Sequence, residues 1–235
     1  MLLPLVALAF AGCGDDDPAA PPAPAPRVNK VLQLDGIDSY VSIPIANHNF
    51  VSFTIECWIK VPAYDLNVHY VSLYQNAYLV LGDYGSPNAH VDTWADGLNP
   101  VNARTGNLAA ITADAWHHLA FTFDGTTQTI LTDGVVTLSV PTTGTVTNDV
   151  GSYNSGLNIG CRYSGSSQFV NGQIDDVRLW NVYRTPAEIQ ANMSKVLTAQ
   201  SGMVGYWNFD DGTADDLTAY GADGALTGSA TIVNK

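Results

Sequence analysis

Carboxylates are the most numerous groups in this sequence that could do chemistry. Twenty of the 22 acidic residues are aspartate, and glutamate occurs only at Glu56 and Glu188. Glycoside hydrolysis needs two carboxyl groups flanking one bond, about 5 Å apart when configuration is retained. The two glutamates are 132 positions apart, one in a predicted strand and one in a predicted helix, so they do not make that pair. Asp175 and Asp176 are adjacent within Gly172-Gln173-Ile174-Asp175-Asp176-Val177-Arg178-Leu179-Trp180. With no glutamate beside them, they read as turn-stabilising or cation-binding groups rather than an acid/base couple. His117 and His118 are neighbours and would face opposite sides of a strand, while His48, His69 and His90 are scattered; a zinc site needs its ligands on one face. No Gly-x-Ser-x-Gly elbow is present to activate a serine.

Recognition chemistry is better represented. His90, Asp92 and Trp94 share one side of a predicted strand, Tyr78 lies on the strand before it, and Tyr84 is in the loop between. Trp58 stands with Glu56 on the non-core side of residues 53–60. Aromatic planes beside carboxylates and amides suit a sugar, whose ring stacks while its hydroxyls form hydrogen bonds. Cys57 and Cys161 lie in or beside predicted strands, and an exported compartment would permit a disulfide between them.

Elements of period two must position these residues. Phe53, Ile55, Cys57 and Ile59 alternate with Thr54, Glu56, Trp58 and Lys60, the pattern of a half-buried antiparallel strand. Asp124-Gly125 and Asp133-Gly134 are hairpin signals between strand-like runs. In all, about twelve strands are predicted, with one helix at 186–198, where Thr185 is the N-cap, Pro186 the first helical residue and Glu188 the third. Charged residues make up only 13% of the chain and the net charge is -13. No basic patch exists to displace counterions from phosphates, which excludes a nucleic-acid partner.

The first thirty residues read as an address and a spacer. Residues 2–10 form an apolar run too short to cross a bilayer. It ends in Phe10-Ala11-Gly12-Cys13, which resembles a bacterial lipoprotein lipobox. That resemblance implies a signal peptide over 1–12, lipidation at Cys13, and a lipid-anchored protein of the cell envelope, at the outer membrane or cell surface. No Lys or Arg precedes the run, and Phe10 stands where the pattern has leucine. Residues 13–29, rich in Asp, Pro and Ala, would be a semi-rigid tether, leaving one domain over 30–235.

Eight short motifs occur in order across that domain, from Leu34-Asp35-Gly36 through Phe53-Thr54-Ile55-Glu56-Cys57-Trp58 and Trp116-His117-His118-Leu119-Ala120 to Gly205-Tyr206-Trp207-Asn208-Phe209-Asp210. Together they resemble laminin G-like domains of the concanavalin A-like lectin/glucanase superfamily, to which pentraxins are similar. The resemblance implies an all-β, two-sheet antiparallel jelly-roll sandwich whose first and last strands meet. It also implies calcium, for which Asp35, Asp38, Asp175 and Asp210 would converge. The pentraxin acidic cluster has no counterpart in residues 161–168, and the Glu-x-Asp-x-x-Glu run of glucanases is missing. The expectation is a non-catalytic, surface-anchored module binding extracellular carbohydrate through Trp94, Asp92, His90, Tyr78, Tyr84 and Trp58. An adhesion domain binding a surface protein is the alternative, and a glycoside hydrolase the remote one.

Overall fold

The alternation of facing in residues 53–60 is realised, with Phe53, Ile55, Cys57 and Ile59 fully buried in one core between two sheets; the expected half-buried strand is instead buried on both faces at Thr54 and Glu56, because its outer face is covered as well. The computed structural model describes residues 29–45, 50–62, 68–74, 78–82, 92–95, 98–99, 102–104, 111–146, 156–162, 165 and 167–235. In chain order the described strands are β1 (Lys30–Asp35), β2 (Tyr40–Ile43), β3 (Phe53–Lys60), β4 (His69–Tyr74), β5 (Tyr78–Gly82), β6 (Asp92–Ala95), β7 (Leu98–Asn99), β8 (Asn102–Arg104), β9 (His117–Phe123), β10 (Thr127–Thr132), β11 (Val135–Pro141), β12 (Thr143–Gly144), β13 (Gly156–Ile159), β14 (Asn171–Trp180), β15 (Met203–Trp207), β16 (Ala225–Thr227) and β17 (Thr231–Asn234). Helix α1 (Pro186–Asn192) lies between β14 and β15.

One sheet runs β11-β10-β9-β3-β14-β1-β17, and the other runs β16-β2-β13-β4-β5-β6-β8; β7 and β12 form a separate small pair. All pairings among the described strands are antiparallel, and β1 and β17 meet, with Lys30 opposite Asn234. The architecture is therefore the expected sandwich. Asp133 and Gly134 both have positive φ, at 52° and 74°, which closes the β10–β11 hairpin in two residues, as a right-twisted pair requires.

β14 organises the first sheet. Along one edge it pairs with β3; its other edge is shared, β1 taking the first half and β15 the second. The outer face of this sheet, turned away from the core, is covered over the second half of β14. There α1 docks Ile189 on Ala120 and Leu131, and the segment after the helix brings Leu197 against Trp180, Met203 and Tyr206. A helix this short is marginal by itself, so docking and its capping box, with Thr185 and Glu188 bonded reciprocally, hold it. The helix ends at Asn192, six residues earlier than the sequence suggested. The sheet beneath claims the carbonyls that follow: Arg178 donates to Asn192 and Lys195, and the Trp58 indole donates to Met193 at 2.8 Å.

Candidate functional site

The covered half of the outer face gives way to an open half where β14 bulges. Up to Ile174, even-numbered residues of β14 face the core; beyond the bulge, Val177 and Leu179 do so. The register against β3 slips between Asp175 and Arg178, and Asp176 has a φ of 48°. The extra residue places Asp175 and Asp176 on the same outer side, a way in which bulges re-aim side chains. Asp175 lies opposite Trp58 of β3.

Trp58 and Asp176 line a cleft of about 210 Å³ together with Asn29, Trp116, Ser194 and Lys235, with Asp175 buried beside it. Trp58 and Trp116 are both half-buried. The Trp58 and His118 rings are tilted at 63° with their centroids 5.3 Å apart, and the Trp58 N–H is used by Met193, so the orientation is fixed from two sides. Trp116 carries the Lys235 ammonium 4.2 Å from its ring centroid, and the same ammonium is 2.9 Å from Asp175 Oδ2. Asp175 Oδ1 accepts from the Asp176 amide at 2.8 Å.

Behind the cleft is a buried polar network. Arg178, with no exposed surface, sits 3.7 Å from Glu56 and 3.5 Å from Asp176, and its guanidinium lies over the Tyr206 ring at 5.0 Å. Tyr206 donates its hydroxyl to Asp176. Glu56 accepts from the Trp180 indole at 3.0 Å and stands 3.2 Å from His118 Nε2. Burial acts to raise the Glu56 carboxyl, but His118, Arg178 and Trp180 outweigh it and hold Glu56 below the usual carboxylate range. Asp175 goes the other way: burial pushes it up to about 6, the neighbouring Asp176 carboxylate adds to the rise, and Lys235 opposes it.

The raised Asp175 has a measurable consequence. Because its folded value exceeds 3.8, the group favours folding most below pH 3.8, and this contribution is lost as pH rises through about 6. Asp175→Asn mimics the protonated form while forfeiting the Lys235 pair. The variant is expected to exceed the wild type in stability by about 2 kcal/mol at pH 8, with the advantage shrinking to nothing near pH 4. Urea unfolding at the two pH values measures this, and a variant less stable than wild type at pH 8 would contradict it.

A laminin G family model, described as the Concanavalin A-like lectin/glucanases superfamily, matches residues 35–190. The chain belongs to this superfamily. No match was found among curated proteins. Of solved structures, a Bacteroides ovatus ATCC 8483 protein to which carbohydrate binding is ascribed is 23% identical with a TM-score of 0.70, over 88% of this chain and 60% of that one. The concanavalin A-like domain thus spans about 60% of that protein's length. The heptameric SAP-like pentraxin of Limulus polyphemus is 12% identical (TM-score 0.60; 88% of this chain, 96% of that). A CBM40 module of the Ruminococcus gnavus IT-sialidase, bound to alpha2,3 sialyllactose, is 11% identical (TM-score 0.53; 73% and 100%). These likenesses concern the fold.

Of the residues singled out from the sequence of this concanavalin A-like domain, Trp58 and Asp175 belong to the cleft region. Asp35, Asp38, Asp175 and Asp210 are not brought to one point, which corrects the expected calcium set. Asp35 and Asp210 lie at opposite ends of β1, Asp210 accepting from the Lys30 amide; five residues of strand separate the ends by roughly 17 Å. Asp35 Oδ1 caps its own turn, accepting from Ile37, Asp38 and Ser39. The Ser39 hydroxyl and the Ile37 amide hold its carboxyl well below the usual range. Asp38 accepts from the Ser229 amide. Among the described residues no group of three or more His, Cys, Asp or Glu is placed to hold a metal.

The possible Cys57–Cys161 bridge is not formed: both are free and buried. Cys57 points from β3 into the inter-sheet core, whereas Cys161 follows β13 of the other sheet and is not part of that core cluster. Burial raises both thiols, Cys161 to about 12, so neither is a ready nucleophile. Asp92 and Trp94 are on β6, opposite Gly82 and Val80 of β5, and Tyr78 starts β5. The side chains of Tyr78, Asp92 and Trp94 lie outside the described residues, as do Tyr84, His90, residues 1–12, Cys13 and the rest of the tether to residue 28. His117 is a rim histidine bonded to Asp133 and Thr112. Trp116 and Lys235 were missed because they precede β9 and follow β17, where no periodicity reports a shared face.

Proposed function

We propose that this concanavalin A-like domain is a non-catalytic carbohydrate-binding module, exported and held at the cell surface by a lipid on Cys13 and a Pro/Ala-rich tether. The observation that carries the reading is the pairing of two half-buried indoles, Trp58 and Trp116, with Asp176, Ser194 and Asn29 around one cleft. Indole faces stack on sugar rings while carboxylate, hydroxyl and amide groups take the ring hydroxyls. The carbohydrate binding ascribed to the Bacteroides ovatus protein, and the sialyllactose bound by the Ruminococcus gnavus module, support the assignment.

The way the acids are committed supports binding without hydrolysis. Asp175 is tied to Lys235 and Asp176 to Tyr206 and Arg178. Glu56 is sealed behind them, with 3% of its surface exposed. A general acid has to reach the leaving oxygen, and these groups serve instead to orient the cleft.

A glycan array probed with the purified domain tests the reading. Binding is expected, and Trp116→Ala is expected to weaken it at least tenfold, about 1.4 kcal/mol, with an unchanged melting temperature. Trp94→Ala serves as the comparison: loss of binding in that variant but not in Trp116→Ala would move the site to β6. Silence across the array, together with a co-purifying surface protein, would replace the lectin reading by adhesion.

A further inference from the structure

We propose that the domain reads a linear oligosaccharide along a track of two contiguous clefts on the outer face of the β1-β14-β3 strands, rather than a single terminal sugar. The proposal rests on the carbohydrate reading above and specifies the ligand that this face takes.

A second cleft, also about 210 Å³, is lined by Gln33, Lys60, Pro62, Asp114, Gln173 and the first two residues of β14, Asn171 and Gly172. The two clefts have no lining residue in common but follow one another along the same strands. Gln173 and Asp175 are two residues apart on β14 and flank Ile174, which faces the core; Lys60 and Trp58 are two apart on β3 and flank Ile59, which also faces the core. The registers agree: Gln173 is opposite Lys60, and Asp175 is opposite Trp58. Two residues of strand separate the clefts by roughly 7 Å, a step on the scale of a sugar residue. Both clefts are also walled by the same turn, residues 112–116, which gives Asp114 to one and Trp116 to the other. The Asp114 amide bonds to the Val61 carbonyl at 2.8 Å, pinning that wall to the end of β3.

The chemistry of the second cleft is hydrogen bonding without stacking. Gln173 donates to Gln33 Oε1 at 3.0 Å, and Gln33 donates to the Leu34 and Gly172 carbonyls. The two amides are thereby held in one orientation, and the second N–H of Gln173 remains to meet a hydroxyl. Lys60 is half-buried and makes no ion pair among the described residues. A ring gripped by Trp58 and Trp116 would extend its chain onto this preset row of donors, where the ordering cost is already met by the fold. The helix and the segment after it block the opposite direction beyond Asp176, so the chain has one way to run.

The test is calorimetric titration of the domain with linear gluco-, xylo- and arabino-oligosaccharides of one to six residues. In the series that binds, the Kd is expected to fall on the order of tenfold between monomer and tetramer. Gln173→Ala is expected to remove most of that gain, and Trp116→Ala to weaken every length. Affinity independent of length, or a length gain unaltered by Gln173→Ala with its melting temperature preserved, would overturn the track while leaving a sugar site in the first cleft. If no member of any series binds and the array is silent, the track falls together with the carbohydrate reading.

Discussion

Replacing Glu56 by alanine will cost the domain about 3–5 kcal/mol of stability, the usual penalty for breaking a buried ion pair from one side. The carboxylate is the common partner of three groups that cannot reach water. Arg178 has no exposed surface, Trp180 has none, and His118 has 1%. With Glu56 gone, the Trp180 N–H loses its acceptor at 3.0 Å, and Asp176 is the one carboxylate left beside Arg178 among the described residues. Glu56→Gln keeps an acceptor for Trp180 while removing the charge, so its penalty should be smaller. The depressed Glu56 carboxyl also sets a pH sense: its contribution is present above the ordinary glutamate range and is lost only as pH falls through the lower folded value. Equilibrium urea unfolding decides the matter; a loss under 1 kcal/mol in Glu56→Ala would mean the network is structurally idle. Because Arg178 also holds the carbonyls of Asn192 and Lys195, loosening of α1 should accompany the loss, visible as faster amide exchange in residues 186–192.

Trp207→Ala is the second large effect, also about 3–5 kcal/mol. Its indole is fully buried in the inter-sheet core and donates to the Ala222 carbonyl at 3.0 Å. Truncation leaves a cavity and an unpaired buried carbonyl. The same ring dictates its neighbour two residues earlier. A Cβ on Gly205 would lie 2.1 Å from the Trp207 ring edge, so Gly205→Ala forces the indole to move and should cost about 1–3 kcal/mol. The two substitutions should therefore be non-additive, the double variant being more stable than the sum of the single losses implies. Additive losses in a double-mutant cycle would show that the contact is relieved by backbone movement instead.

Much of the fold was legible because its signals are local. The 53–60 alternation of facing, the Asp124-Gly125 and Asp133-Gly134 turns, and the Thr185-Pro186-Glu188 helix start each act within a few residues, and each appears where expected. The end of the helix was not legible. Met193, Ser194 and Lys195 carry no stop signal; the helix stops because Arg178 and Trp58, distant in sequence, take the next carbonyls.

The candidate site shows the same division. The sequence by itself determined the sandwich, the meeting of its terminal strands through family resemblance, and Trp58 as an outward-facing aromatic. Read with a strict period of two, Asp175 and Asp176 fall on opposite faces of their strand. Only the tertiary structure turned them to one side, because the β3 partner is one residue shorter through that stretch and the surplus residue has to bulge. The same packing left Cys57, in β3, and Cys161, just after β13 of the other sheet, unpaired, tied Asp35 and Asp210 to separate ends of β1, and carried Lys235 across to Trp116 and Asp175. Side-chain alternation is set by the backbone of one strand, whereas register and the company a residue keeps are set by its neighbours in space, and those neighbours come from every part of the chain.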